Sequence, residues 1–214
     1  MKTIYCISGL GADERAFSRL EIEGYSITCL PWLTPAPKET IGDYAKRMSD
    51  GIKDERPVLM GLSFGGIMCI EIARQIPVEK VILISSIKCA NELPGWMKAA
   101  GMLRLNRIFP MRSNKFTEAI QNRNLGISTP EEKEMVSAYR LNAPQEYVDW
   151  AINEILNWRN SWYPAKIYQV HGDADKLFPI RKVAATHIIK GGGHFMIMNK
   201  ATEVSAALQQ ILLT

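Results

Sequence analysis

Six apolar runs with strand character recur along the chain: "TIYCIS" (3–8), "YSITCLPWL" (25–33), "PVLMGLS" (57–63), "EKVILISS" (79–86), "AKIYQVHG" (165–172) and "THIIKGGG" (186–193). Most are continuously apolar rather than alternating, as strands buried on both faces of a parallel sheet are. Helical spacing fills the gaps. Residues 13–20 suit a short helix, and residues 39–53 set Ile41, Tyr44, Ala45, Met48 and Ile52 on one face. Residues 64–76 form another helical segment, stopped by Pro77, and residues 201–213 align Val204, Ala207, Leu208, Ile211 and Leu212. Strand and helix in alternation predict an α/β fold on a mainly parallel sheet.

The rhythm breaks over residues 88–163, where no strong strand occurs and Pro and Gly separate several helical stretches. "STPEE" (128–132) reads as a helix start, with Pro130 at the first helical position and acids in the first turn. We read 88–163 as a helical insertion into a core formed by 1–87 and 164–214.

Composition narrows the function classes. Hydrophobic residues make up 47% and charged residues 22% of 214, which fits one globular domain carrying an insertion. A net charge of +4 makes no case for nucleic acid or a membrane surface as partner. No apolar run reaches the roughly 18 residues of a membrane span. The opening "MKTIYCISGLGADER" is a short apolar stretch ended by Gly9 and Gly11 and followed by Asp13, Glu14 and Arg15. It reads as a first strand rather than an export signal, so a cytoplasmic location is the expectation. Cys6, Cys29, Cys69 and Cys89 form no CxxC pair and sit in or beside apolar runs, which predicts buried free thiols in a reducing compartment. Together with three histidines they make no metal-ligand cluster, so no metal site is expected.

The chemistry concentrates where strands end. Gly61-Leu62-Ser63-Phe64-Gly65 matches GxSxG between an apolar run and a helical segment. A serine at a sharp strand-to-helix turn is strained, and small neighbours two residues away relieve the crowding. Its hydroxyl then projects next to a helix N-terminus, where backbone N–H groups point outward. The frame arises by chance in roughly one chain in fifteen of this length, so alone it carries little; between a strand and a helix it favours a reactive serine over a tight turn with a capping serine. A second group, His171-Gly172-Asp173-Ala174-Asp175, follows the run at 165–170, at the functional edge of a parallel sheet. A third is Gly191-Gly192-Gly193-His194 after the last run. The order Ser, Asp, His along successive strand ends is far more specific than any one piece.

On "SGLGADERAF", "GLSFGG", "HGDADKLFP" and "GGGHF" the chain resembles the α/β-hydrolase superfamily across nearly its whole length. The resemblance implies six strands in the spatial order 2-1-3-4-5-6, with 88–163 as the helical cap. It implies Ser63 as nucleophile, His194 as general base and Asp175 as the acid that orients it. Some members place the acid one strand earlier, where this chain offers Ser85 and Ser86, with Glu92 beyond. The oxyanion hole would use the backbone N–H groups of Leu10 and Phe64; Ser8-Gly9 stands where many members have His-Gly. A serine nucleophile argues against dehalogenase or epoxide-hydrolase chemistry, which uses aspartate. The reaction implied is cleavage of a small ester or thioester, a carboxylesterase or thioesterase activity, with a small acyl molecule as partner and no metal or organic cofactor. Alternatives stay open: amide cleavage or a lyase-type reaction by the same three residues, and a non-catalytic ligand-binding or scaffold protein.

Substrate choice falls to the insertion. Arg104, Arg107, Arg112 and Lys115 could meet an anionic group, but a solvated helix face is the preferred reading of them. Trp96, Met102, Phe109, Met111, Phe116, Trp158 and Trp162 could line an acyl pocket or pack the cap onto the core. His171 is expected to organise the Asp175 loop, and His187 to sit within the last strand. The sequence carries no mark of the oligomeric state.

Overall fold

The computed structural model describes residues 2–105 and 115–214, with only the backbone described for Lys115 and Phe116. Arg107, Phe109, Met111 and Arg112 therefore lie outside the described residues.

Six parallel strands form one sheet in the order β2-β1-β3-β4-β5-β6. They are β1 (Lys2–Ile7), β2 (Tyr25–Cys29), β3 (Val58–Leu62), β4 (Lys80–Ile84), β5 (Ile167–Gly172) and β6 (His187–Ile189). This is the expected topology. The continuous apolar runs have a simple cause: neighbouring residues feed opposite layers. Tyr5, Ile7, Leu59, Val81 and Leu83 enter one core, while Ile4, Cys6, Val58, Met60, Ile82 and Ile84 enter the other.

The first layer holds α1 (Ile41–Ser49) and α2 (Phe64–Ala73). Thr40 caps α1 by accepting from the Asp43 amide. The helix α2 is buried at every position, which explains why its sequence shows no polar face. The second layer is built on the C-terminal helix, and its residues Val204, Leu208 and Ile211 are buried.

Between β4 and β5 the chain forms α3 (Gly95–Met102), α4 (Lys115–Leu125), α5 (Pro130–Asn142) and α6 (Gln145–Asn157). A short α7 (Met196–Asn199) and the C-terminal α8 (Ala201–Leu212) follow β6. Helix α5 starts as its sequence predicts: Pro130 opens it, and Thr129 and Glu132 form a reciprocal capping box. The insertion straddles the core, because Tyr147, Ala151 and Leu156 of α6 join the first layer, whereas Val136 and Tyr139 of α5 join the second. Trp158 is buried and donates its indole N–H to Glu71 at 2.7 Å, so it packs the insertion down, while Trp96, Met102 and Trp162 are exposed. Among the described residues no helix is long and apolar enough to cross a membrane.

One expectation is corrected. Cys6 and Cys29 are joined by a disulfide rather than being free thiols. The reason is register: parallel β1 and β2 set these two residues side by side with Cα atoms 4.5 Å apart, within the span that a disulfide bridges. A separation of 23 residues hides that pairing in the sequence. Cys69 and Cys89 are free and buried, and burial drives the Cys69 thiol pKa upward.

Candidate active site

The sheet's parallel strands bring their C-terminal ends to one edge, and every candidate residue follows such an end. Ser63 directly follows β3, at φ 52° and ψ −116°, a region that a non-glycine residue enters only when its surroundings force it. Those surroundings are specific. The Ser63 amide donates to the Ile84 carbonyl at 2.9 Å, and its carbonyl accepts from the Ser86 hydroxyl at 2.6 Å and the Gly66 amide at 2.9 Å. Two glycines make the turn possible. A Cβ on Gly61 would strike the backbone of Gly65 and Gly66, and one on Gly65 would strike the carbonyls of Ile7 and Ser8. The elbow thus presses directly on the end of β1.

Asp175 lies in the turn after β5, 4% exposed, with each carboxylate oxygen engaged. Oδ1 accepts from the amides of Leu177 (2.8 Å) and Phe178 (2.9 Å); Oδ2 meets Nδ1 of His194 at 2.8 Å. Burial pushes the Asp175 carboxyl up. The His194 charge and hydrogen bond, His171 and the Phe178 amide outweigh it, and the net pKa is below the ordinary carboxylate value. The second nitrogen of His194, Nε2, stands 2.9 Å from Ser63 Oγ. Ser63, His194 and Asp175 therefore form one continuous hydrogen-bonded chain, although they are far apart in sequence. The other acid position does not reach His194: Glu92 accepts from the amides of Lys88 (2.9 Å) and Ala184 (3.1 Å) and from the Gln169 side chain (2.9 Å).

Among the described residues, the amides of Leu10 and Phe64 donate to no backbone carbonyl. Phe64 opens α2, so its N–H is one of the helix's unpaired first-turn donors. His171, fully buried, takes its expected place: Nε2 donates to the Phe178 carbonyl at 2.7 Å and lies 3.4 Å from Asp175 Oδ2. His187 lies in β6.

Three contacts had no clear signal in the sequence. Trp32, two residues beyond Leu30 on the chain leaving β2, stacks on Phe64 and hydrogen-bonds the loop after β1. Its only sequence signal is an aromatic residue just past a strand's C-terminal end. The Ser86 bond to the elbow carbonyl is invisible without the strand order. The His194 loop is tied to the insertion, since the Phe195 amide donates to the Leu125 carbonyl at 2.9 Å. Beside Gly11 and Ala12 lies a cavity of about 200 Å³ whose walls include Trp32, Leu33, Tyr139, Ala143 and Tyr147; they stop short of Ser63.

This architecture is the α/β-hydrolase fold. MenH from S. aureus superposes with a TM-score of 0.76 at 17% identity, over 99% of this chain and 93% of that one. A thermophilic esterase from Thermogutta terrifontis gives 0.73 at 18% identity, over 99% and 89%. A lipase-esterase related protein from Clostridium acetobutylicum gives 0.72 at 16% identity, over 98% and 94%. No family model matches the chain, and no curated protein matches it. At such identities the likeness speaks for the fold.

Proposed function

We propose that the protein is a serine hydrolase that cleaves a small ester or thioester through an acyl-enzyme. The observation that carries this reading is the hydrogen-bonded chain from Ser63 Oγ through both His194 nitrogens to Asp175 Oδ2. With its proton on Nδ1 facing Asp175, His194 leaves Nε2 to take the Ser63 proton as Oγ attacks the substrate carbonyl. The negative oxygen that forms would be received by the Leu10 and Phe64 amides; one such donor is worth about 3–4 kcal/mol of barrier. His194 then passes the proton to the leaving alcohol or thiol. Water repeats the sequence on the acyl-Ser63 ester, releasing the acid and restoring the serine.

The cavity beside Gly11 supports a small, uncharged acyl group. Among the described residues its walls are mainly apolar, and the charged side chains on it, Asp13 and Glu146, are acids. The Arg15 guanidinium beside Asp13 is already spent on both of its carboxylate oxygens. The likeness to a thermophilic esterase and to a lipase-esterase related protein agrees with acyl chemistry.

A fluorophosphonate probe tests the proposal. The wild type is expected to become covalently labelled, and Ser63→Ala to remain unlabelled. An unlabelled wild type, or labelling that survives Ser63→Ala, overturns it.

A further inference from the structure

We propose that Trp32 is the positioning residue of the oxyanion site: it aligns the Leu10 and Phe64 amides with each other. The inference rests on the serine-hydrolase reading and adds a residue to it.

Trp32 touches both segments that carry the two donors. Its indole N–H stands 3.2 Å from the Gly9 carbonyl oxygen and 3.0 Å from Ser8 Oγ. The Gly9 carbonyl and the Leu10 N–H belong to one planar peptide unit. A donor on that carbonyl therefore fixes the direction in which the Leu10 N–H points. It also polarises the peptide and strengthens the N–H as a donor. The Ala12 amide donates to the same carbonyl at 3.0 Å, so the peptide is held from two sides.

On the other side, the indole lies flat on the Phe64 ring, with centroids 5.1 Å apart and planes 8° from parallel. Phe64 is 1% exposed, so its ring has no other place to go. One rigid bicyclic side chain thus bridges the two segments that carry the donors. Stacking offset rings of this kind adds about 1 kcal/mol beyond burial, and a shared plane restricts relative rotation.

Ser8 completes the device. Its hydroxyl accepts from Trp32 and donates to the Ala12 carbonyl at 2.6 Å, closing the tight loop 8–12 on itself. A serine thereby does at this position what a loop needs to hold one peptide plane: it accepts from one side and donates to the other.

Trp32 also lines the cavity beside Gly11, so a plain role as a pocket wall must be separable from the positioning role. Trp32→Phe separates them, because it keeps an aromatic wall and a stack but loses the N–H. Ester hydrolysis, fluorophosphonate labelling rate and affinity for a trifluoromethyl ketone are measured on wild type, Trp32→Phe and Ser8→Ala. The positioning role predicts that Trp32→Phe lowers kcat roughly ten-fold, since small misplacements of a donor are costly. KM should stay within about two-fold, because ground-state binding is untouched. Trifluoromethyl ketone affinity, which depends on the oxyanion, should fall in step with kcat. Ser8→Ala, which keeps the indole bond to Gly9, should lose several-fold in kcat, again with KM held. If Trp32→Phe does not fold, Ser8→Ala decides.

A labelled wild type with unchanged kcat in Trp32→Phe, or a loss confined to KM, overturns the role of Trp32 and leaves the hydrolase reading standing. A wild type that the probe does not label removes both.

Discussion

Two histidines face the same carboxylate oxygen from two regions of the molecule, and the structure uses them differently. His194, on the glycine loop after β6, sits 2.8 Å from Asp175 Oδ2 and passes its other nitrogen to Ser63. His171, at the end of β5, sits 3.4 Å from the same oxygen, donates its Nε2–H to the Phe178 carbonyl and leaves Nδ1 buried with no hydrogen-bond partner among the described residues. The first is hydrogen-bonded at both ends, the arrangement that the proposed proton transfer needs. The second is a strut: a neutral donor that holds the turn whose amides hold Asp175. The difference lies in what stands behind each ring. Behind His194 is a half-buried hydroxyl; behind His171 is packed core, and burial lowers its pKa against the pull of Asp175. A histidine next to a carboxylate is therefore not by itself a catalytic base.

The largest effect should come from removing the charge both rings face. Asp175→Asn keeps the side-chain size but presents an amide where His194 Nδ1–H needs an acceptor, which favours the wrong tautomer. Ester hydrolysis should fall by about a thousand-fold or more in kcat, with the fold retained. Steady-state kinetics with circular dichroism checks this. A variant within ten-fold of wild type would mean that Asp175 serves the turn, as His171 does, and not the reaction.

The next largest effect concerns the spacing between the two regions. Gly172, after His171, packs against Gly192, before His194, and a Cβ on Gly172 would run into the Gly192 carbonyl. That carbonyl also accepts from the Ala174 amide at 3.0 Å, so it is not free to move away. Gly172→Ala should cost about 2–3 kcal/mol of stability, the upper part of the range of about 1–3 kcal/mol for overpacking a filled core. It should also lower kcat, because the turn bearing Asp175 and the loop bearing His194 are pushed apart. Thermal denaturation and kinetics on one preparation report both. Unchanged stability would show that the two loops slide freely.

How much of this could be read from the chain depended on whether a feature is local. Gly61 and Gly65 around Ser63, the alternation of strands with helices, and Pro130 in its capping box are short-range statements, and each is legible. Asp175 and His194 are legible because parallel strands put their ends on one edge, a rule that turns sequence order into proximity, and because their order matches the family that the chain resembles. Contacts that depend on which strands are neighbours were hidden. The Cys6–Cys29 pairing needs the β1–β2 register, the Ser86 bond needs β4 beside β3, and the Trp32 stack needs β2 at the sheet's edge beside β1. Glu92 looked like a spare acid because its three donors come from residues 88, 169 and 184, which meet only in the folded chain.

The smallest effect isolates His171. Its folded pKa lies below the ordinary histidine value, with burial as the main cause and Asp175, His194, Glu92 and the Phe178 carbonyl as the groups acting on it. A depressed pKa means that the unfolded chain binds the proton more readily than the folded one. Stability from this residue is therefore fully present above about pH 6.5. It is lost as pH falls from there through the folded value, with a slope of at most about 1.4 kcal/mol per pH unit. His171→Gln keeps an N–H in reach of the Phe178 carbonyl and does not titrate. At pH 8 it should be slightly less stable than wild type, by about 1 kcal/mol for imperfect packing. Between pH 7 and pH 5 the wild type should lose stability that the variant keeps, so that the two curves converge or cross. Urea denaturation at a series of pH values makes the comparison. Asp175 titrates below this window, so the difference curve reports the His171 proton together with its coupling to the charged groups around it. Parallel curves would mean that His171 takes up its proton as easily folded as unfolded, and the distinction between the two histidines would then rest on Ser63 alone.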